Sequence, residues 1–437
     1  MRWQSRYHLK PTQRPIDSLK KLKIAIIGAG TAGLASAAFL QRSGHSVTLY
    51  EKFNAPKPVG AGLLIQPTGL SVLCLLGLDK QIIESGSIIH QLYGKVSGSR
   101  FVTLDVKYKH IAPHLFGVGT YRDNLFRALY DKVIELGVSI KSSSEISDVL
   151  QVNGKATLIN IAGEQFGEYD LVVDASGAKS TLRKKYANIR FDKPYPYGAI
   201  WSIVKLTDTF RTDTLDQRYK HASHMIGVLP VGKLGGDVCT SAAFFWSMRV
   251  KDYPKWREQE FSKWQDYVVS LWPETDVLVS QFKTHEDLTL ATYSDVILNS
   301  YNSGCLAFIG DSAHCTSPQL GQGANLALMD AMVLSDSINS SGSIEDALNT
   351  YSHKRKRHLR FYQMASRALT PFFQSDSLLF AKLRLLTCGV SCKIPFTQKI
   401  AAHVLTGTKT GLFSTLNPGD WAKDYDLFKA SKKALID

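Results

Sequence analysis

The sequence predicts an α/β fold: a parallel sheet carrying a βαβ unit, an antiparallel sheet layer beside it, and a helical C-terminal segment. Three observations predict it. Short apolar runs end in glycine turns at Lys23–Ile27, Leu171–Asp174 and Cys305–Ile309. Residues 195–272 alternate like strands and are dense in aromatics, among them Tyr195, Tyr197, Trp201, Phe244, Phe245 and Trp246. Beyond residue 330 the apolar spacing becomes helical. A chain of 437 residues that is 44% hydrophobic can bury two packed domains plus an appendage.

The first run enters Gly28-Ala-Gly30-Thr-Ala-Gly33, Leu34–Arg42 follows with helical spacing, and Gly44 ends it. Val47–Tyr50 reads as a second strand closing on Glu51, 18 residues past Gly33. A strand, glycine turn, helix, strand and acid in this order place a pyrophosphate on a helix N-terminus and a ribose on a carboxylate. The unit reads as Rossmann-like dinucleotide binding and does not distinguish FAD from NAD. Gly60–Gln66 and Pro67–Leu78 read as a turn and a helix closing over the site. Leu92–Val106 reads as a hairpin around Ser97-Gly98-Ser99, followed by a helix over Arg122–Leu136 and a strand over Val138–Lys141. Alternation around 145–168 suggests a small antiparallel layer.

Leu171–Asp174 leads into Ala175-Ser176-Gly177-Ala178-Lys179-Ser180-Thr181-Leu182-Arg183, a turn with a basic residue one helical turn later, which suits phosphate handling. The aromatic region, with a turn at Gly232–Gly236 and a helix over Lys255–Trp272, reads as a separate antiparallel sheet and the wall for an apolar ligand. The third run opens Gly310–Ala331, with a helix beginning near Ala324. Gly310 lets backbone approach a ligand, Asp311 accepts hydrogen bonds from hydroxyls, and the amides of Gly321–Asn325 present a positive helix end. Such a cradle suits a flavin, whose reduced ring carries negative charge. Ile344–Ser366 reads as a helix with a solvated basic face at Lys354–Arg357. Ser375–Leu386 and Cys388–Leu405 suit helices packed over the substrate layer; the alternative is an amphipathic surface touching a membrane.

The expected domains are a basic lead-in at 1–21, a discontinuous dinucleotide-binding domain at 22–185 and 280–365, the sheet layer at 186–279, and a C-terminal helical segment at 366–437. The net charge is +14, of which residues 1–23 carry +6 and residues 354–437 carry +10, leaving the body at −2. A near-neutral body excludes a nucleic-acid-binding core, which needs a basic groove within the fold. Basic ends fit solubility or weak attraction to an anionic surface. No run reaches the roughly 18 apolar residues of a membrane span, and the N-terminus lacks the apolar stretch of a secretory signal. Cysteines at 74, 239, 305, 315, 388 and 392 are scattered, which predicts reduced structural thiols, no metal site and a cytoplasmic protein.

Together the three motifs, over about residues 22–370, resemble the single-component FAD-dependent aromatic hydroxylases of the para-hydroxybenzoate hydroxylase type. The resemblance implies that Gly28, Gly30 and Gly33 bind the ADP part of FAD, with Glu51 on the ribose and Lys52 where an Arg is frequent. Arg122 matches a FAD-contacting Arg, Asp311 the acid on the ribityl chain, and Pro318, Gly321, Gly323 and Asn325 the loop and helix end against the isoalloxazine. His314 matches a structural position. Ser176-Gly177 replaces the family's Asp-Gly, while Ser180 and Arg183 are kept; that motif serves both FAD and NAD(P)H.

The implied chemistry is a monooxygenase reaction. NAD(P)H reduces FAD, molecular oxygen adds at C4a, and the resulting flavin C4a-hydroperoxide hydroxylates an aromatic or polycyclic small molecule. The catalytic residue is unassigned; His221 and His224, in the sheet layer, are candidates for orienting a phenol. Rival readings are a flavin dehydrogenase or oxidase, an epoxidase on a lipid-like substrate, and a non-catalytic flavin-binding scaffold. Residues 408–437 are expected to be dispensable for flavin binding.

Overall fold

The computed structural model describes residues 19, 21–55, 62–233, 240–392 and 394–421. The basic lead-in to residue 18, the Gly60–Ala61 turn, most of the Gly232–Gly236 turn, Cys239 and the last 16 residues lie outside these.

All three glycine-marked strands lie side by side in one parallel sheet. Its order is Asn302–Ser303, Leu306–Phe308, Leu171–Asp174, Lys23–Ile27, Ser46–Tyr50, Ser139–Lys141, with only the first pair antiparallel. In register, Ile27 lies beside Asp174 on one side and Tyr50 on the other, and Asp174 beside Phe308. The three turns therefore leave the same carboxyl edge, where open α/β sheets bind ligands. The helix Thr31–Arg42 is buried from Ala32 through Leu40. Each fully buried Leu or Phe there contributes about 1.5–3 kcal/mol of hydrophobic free energy. A three-stranded antiparallel layer, Gln165–Tyr169, Lys155–Asn160 and Ile146–Val152, flanks this sheet.

The second layer is a seven-stranded sheet ordered Thr289–Leu298, Ile189–Lys205, Ser241–Arg249, His224–Gly232, Thr214–Lys220, Gln91–Val96, Val102–Lys107. The hairpin at Gln91–Lys107 falls within the span expected for the dinucleotide-binding domain, yet it extends this sheet through parallel pairing of Gln91–Val96 with Thr214–Lys220. Thr289–Leu298 likewise pairs with Ile189–Lys205. The expected boundaries at 186 and 279 therefore do not coincide with the sheet edges, because strand partners far apart in sequence leave no local signal.

Paired strands show which side chains share a face. Ile200, Trp246 and Ile226 are cross-strand neighbours, as are Phe244 and Val228. They form one hydrophobic cluster with Trp256, Trp264 and Val268 of the covering helices. Alternation puts Trp201, Ala243 and Leu229 on the opposite, inner face, toward Gly62–Ile65 and Gly117–Tyr121, and Phe245 on the same side, packed with Tyr219, Met225 and Phe373. The expected single helix over Lys255–Trp272 is two, Tyr253–Glu258 and Phe261–Leu271, interrupted at Gln259–Glu260. Likewise Pro67–Leu78 is a helix over Pro67–Leu75, followed by Asp79–Ser85.

Ile344–Phe373 continues past Ser366. The last helices are Leu378–Ser391 and Pro395–Leu405, with Pro395 at an N-terminal position it tolerates. Residues 408–416 are not an appendage: Thr408, Lys409, Thr410 and Leu416 are buried. The Trp421 indole donates to Ser71 Oγ at 3.1 Å, and Thr68 Oγ1 donates to the Thr406 carbonyl at 3.0 Å. Residues 408–421 are thus packed into the fold, while the remainder of the segment 408–437 lies outside the described residues. No helix among the described residues is long and apolar enough to cross a membrane.

Candidate active site

The first turn is built for close approach. Gly28 has φ +100, and a Cβ there would lie 2.6 Å from the Ala175 carbonyl oxygen. At Gly33 a Cβ would fall 1.9 Å from the Gly28 carbonyl oxygen, so the helix packs directly on the turn. A Cβ at Gly30 would meet nothing within 4 Å. Two of the three glycines thus serve packing, and one faces open space. The Leu34 N–H takes the Gly30 carbonyl at 2.9 Å. The amides of residues 31–33 end the helix with no side-chain cap and no acid in the first turn. Glu51 is buried, its Oε2 accepting from the Ala29 N–H at 2.8 Å and its Oε1 from the Phe53 N–H at 3.1 Å. Each oxygen retains a lone pair for a hydroxyl. Lys52 is exposed, its Nζ 5.1 Å from the Phe53 ring centre.

The third turn abuts the first. Gly310, at φ +59, would bring a Cβ within 2.9 Å of Ala32 Cβ. Asp311 is exposed and lies beside Gly323, whose Cβ position is 4.0 Å from Asp311 Oδ1. Pro318, Gly321 and Gly323 are exposed, and Gly321 takes the left-handed conformation. Helix Gly323–Asn339 also begins without a side-chain cap or a first-turn acid. The Asn325 side chain is spent inside the protein. Its Oδ1 accepts from the Gln66 N–H at 2.8 Å, and its Nδ2 donates to the Leu64 and Gly321 carbonyls at 3.1 Å. Asn325 therefore offers a ligand only its backbone amide, and its side chain fixes the loop.

Beneath this turn Asp330 accepts from the Gly310 N–H at 2.8 Å, from Arg355 Nε at 2.6 Å and from His314 Nε2 at 2.5 Å. Burial alone raises a carboxyl, but His314 and Arg355 hold Asp330 at about 2. His314 is thus tied into a buried charge group under the loop. Arg355 continues to His358 Nδ1 at 2.8 Å, and His358 Nε2 to the Gly407 carbonyl at 2.8 Å. Gln322 Nε2 donates to the Leu405 carbonyl at 2.6 Å, so the C-terminal segment is bolted to the loop.

The middle turn is closed. Asp174, fully buried, accepts from the Ser176 and Ser180 hydroxyls, and Ser180 Oγ caps the next helix through the Arg183 N–H at 2.9 Å. Burial pushes the Asp174 carboxyl up, against these hydrogen bonds and Arg183. Arg183 is itself buried. It pairs with Asp192 at 3.0 Å and donates to the carbonyls of Ala178 at 2.7 Å and Ser312 at 3.2 Å. The phosphate role its position suggested is not available to a guanidinium spent on the protein.

The two candidate histidines do not reach the inner face. His221 is exposed at the tip of the turn after Lys220, at φ +54. His224 packs on Trp246 and Tyr267 under the covering helix, where burial lowers its pKa. Period-two alternation assigns His224 outward; the residue type alone did not. Arg122 opens the helix Arg122–Glu135, is exposed, and acts electrostatically on Tyr293. Burial pushes the Tyr293 hydroxyl up to about 12 despite Arg122, so it is a neutral donor. Nothing in the local pattern marked Tyr293; only strand parity and the fold bring it near Arg122.

Two uncapped helix ends meeting at Gly310, the gap around Gly30, and a buried Gln319 Nε2 lacking a partner fit an elongated anionic cofactor with polar ring edges, as FAD has. No group of three or more His, Cys, Asp or Glu among the described residues is arranged to hold a metal.

The FAD binding domain family model matches residues 21–366. The chain belongs to that family and is an FAD-dependent monooxygenase. It is 25% identical over 360 residues to the putative FAD-dependent monooxygenase YetM of Bacillus subtilis, covering 78% of this chain and 91% of YetM. It is 23% identical over 332 residues to 6-hydroxynicotinate 3-monooxygenase of Pseudomonas fluorescens, covering 74% and 83% of the two chains. Among solved structures, Klebsiella pneumoniae HpxO complexed with FAD and uric acid superposes with a TM-score of 0.75 at 18% identity, covering 88% of this chain and 97% of HpxO.

Proposed function

We propose that this monooxygenase consumes NAD(P)H and molecular oxygen to hydroxylate an aromatic or polycyclic small molecule between the flavin cradle and the inner face of the seven-stranded sheet. The reading rests above all on one observation: two uncapped helix N-termini converge at Gly310, with Asp311 beside the second. FAD, when bound, supplies hydride acceptance and oxygen activation.

The chain's own residues do the rest. Gly30 gives the ADP half its approach on a turn that Gly28 and Gly33 let pack closely, Glu51 holds the ribose hydroxyls, and Lys52 flanks them. Asp311 accepts from the ribityl chain. Pro318, Gly321, Gly323 and the Asn325 amide present a positive edge to the ring. Arg122 contacts the FAD, and the neutral Tyr293 hydroxyl beside it donates to an oxygen of the substrate. Trp201 and Phe245 supply the apolar wall that excludes water. The setting is the cytoplasm, with weak contact between the basic C-terminal helices and a membrane surface.

The test is NADH and NADPH oxidation across phenols, quinols and N-heteroaromatics under ¹⁸O₂. Selective stimulation with one labelled oxygen in the product supports the proposal. Substrate oxidation without label points instead to a dehydrogenase or oxidase, and label in an epoxide to an epoxidase.

A further inference from the structure

Residues 377–419 contain Lys382, Arg384, Lys393, Lys399 and Lys409 and no Asp or Glu. The helices Leu378–Ser391 and Pro395–Leu405 both pack on the edge strand Val102–Lys107. Ala381, Arg384 and Gly389 of the first helix and Ala402 and Leu405 of the second turn inward and are buried.

The outward side is unusual for a water-facing surface. Leu378, Lys382 and Leu386 recur every fourth residue and are all exposed, as are Phe396 and Lys399 of the second helix. Beyond them, the loop bridged by Lys409 and Thr415 carries Leu412 at 70% and Phe413 at 95% exposure. That loop is closed by its own hydrogen bonds. Lys409 Nζ donates to the Leu412 carbonyl at 2.7 Å, and Thr410 Oγ1 to Ser414 Oγ at 2.9 Å. An ordered loop displaying a fully exposed Phe forfeits hydrophobic free energy in water.

Resting on the functional reading above, we infer that this face docks on an anionic lipid bilayer, with Leu412 and Phe413 entering the headgroup boundary and Lys382 and Lys399 meeting lipid phosphates. Charge decides between a bilayer and a second copy of the chain. A segment that carries Lys and Arg and no acid over residues 377–419 repels its own copy across a two-fold axis, whereas an anionic surface attracts it. Exposed apolar side chains accompanied by exposed Lys are the pattern of proteins that lie on a membrane without crossing it. The base of the loop is bolted to the flavin side through Gln322 and the Leu405 carbonyl, and through His358 and the Gly407 carbonyl. The docked face is therefore fixed in orientation relative to the active site.

The test is co-sedimentation of the full-length holoenzyme with phosphatidylcholine vesicles containing or lacking phosphatidylserine. We expect binding to the phosphatidylserine vesicles that falls with added salt. It should drop roughly tenfold or more in Lys382→Glu/Lys399→Glu, given about 1 kcal/mol per basic residue near an anionic surface. Leu412→Ser/Phe413→Ser should lose binding as well. FAD absorbance and NAD(P)H oxidation measured without vesicles should be unchanged in both variants, since all four side chains are exposed. Equal sedimentation of wild type and both variants overturns the inference. So does a concentration-dependent dimer that Leu412→Ser/Phe413→Ser abolishes while wild type ignores vesicles. Either result leaves the monooxygenase reading to stand or fall on ¹⁸O incorporation.

Discussion

The turns after Lys23–Ile27 and Leu171–Asp174 leave neighbouring strands of one sheet, yet they finish in opposite chemistry. The first leaves its helix end bare: no side chain caps residues 31–33, and Gly30 faces open space. The second satisfies its helix end internally, with Ser180 as cap and Arg183 folded back on its own turn, on Asp192 and on Ser312. A strand, a glycine turn and a helix are common to both. What separates a ligand-binding end from a structural one is whether the sequence brings its own hydrogen-bond partners.

The largest effect expected from breaking this comparison lies at the closed turn. Arg183→Ala leaves Asp192 and the carbonyls of Gly177, Ala178, Asp311 and Ser312 without their donor and should destabilise the fold by about 3–5 kcal/mol, read by chemical unfolding of the apoprotein. FAD affinity of the molecules that remain folded should be little changed. Asp330→Asn should cost a comparable amount by stranding Arg355 in the core, and it also tests a pH dependence. The folded-state pKa of Asp330 is depressed, so its contribution is present above the ordinary carboxylate range and is lost as pH falls toward about 2. The variant should lack that segment of the acid-unfolding curve.

At the open ends the effects shift from stability to binding. Gly30→Ala meets no atom within 4 Å, and the backbone is at φ −80. Its apoprotein should melt within about 0.5 kcal/mol of wild type, while FAD affinity falls because the methyl occupies the ligand's side of the turn. Gly33→Ala, whose Cβ would lie 1.9 Å from a backbone oxygen, should instead damage the fold itself. Asp311→Ala should weaken FAD binding by about 1.5–3 kcal/mol, the value of a hydrogen bond to a charged acceptor, with unfolding unchanged since the side chain is exposed. Ser180→Ala should cost about 1–3 kcal/mol of stability, since it removes both the helix cap and a donor to the buried Asp174, with FAD affinity unchanged.

Much of the cofactor half was legible because its signals are local. Lys23–Ile27 and Leu171–Asp174 have the bounds expected of them, and the glycine spacing encodes packing distances. The middle motif misled for a physical reason. A basic residue after a glycine turn looks the same in sequence whether it meets a phosphate or its own backbone carbonyls. In the sheet layer the aromatics were read as one wall, but alternation sends Phe244 and Trp246 under the helices and Phe245 and Trp201 inward. The side taken by His224 depends on a register that only pairing fixes. Tyr293 and the hairpin at Gln91–Lys107 find their neighbours through contacts distant in sequence. The bolting of residues 404–421 onto Gln322, Thr68 and Ser71 had no motif at all.

The most direct test pairs Gly30→Ala with Arg183→Ala, measuring for each the FAD dissociation constant and the unfolding free energy of the apoprotein. The account predicts a crossed result: Gly30→Ala loses FAD and keeps its stability, while Arg183→Ala loses stability and keeps its affinity when folded. An Arg183→Ala protein with wild-type stability and lost FAD would contradict it, for the middle turn would then be a cofactor site like the first.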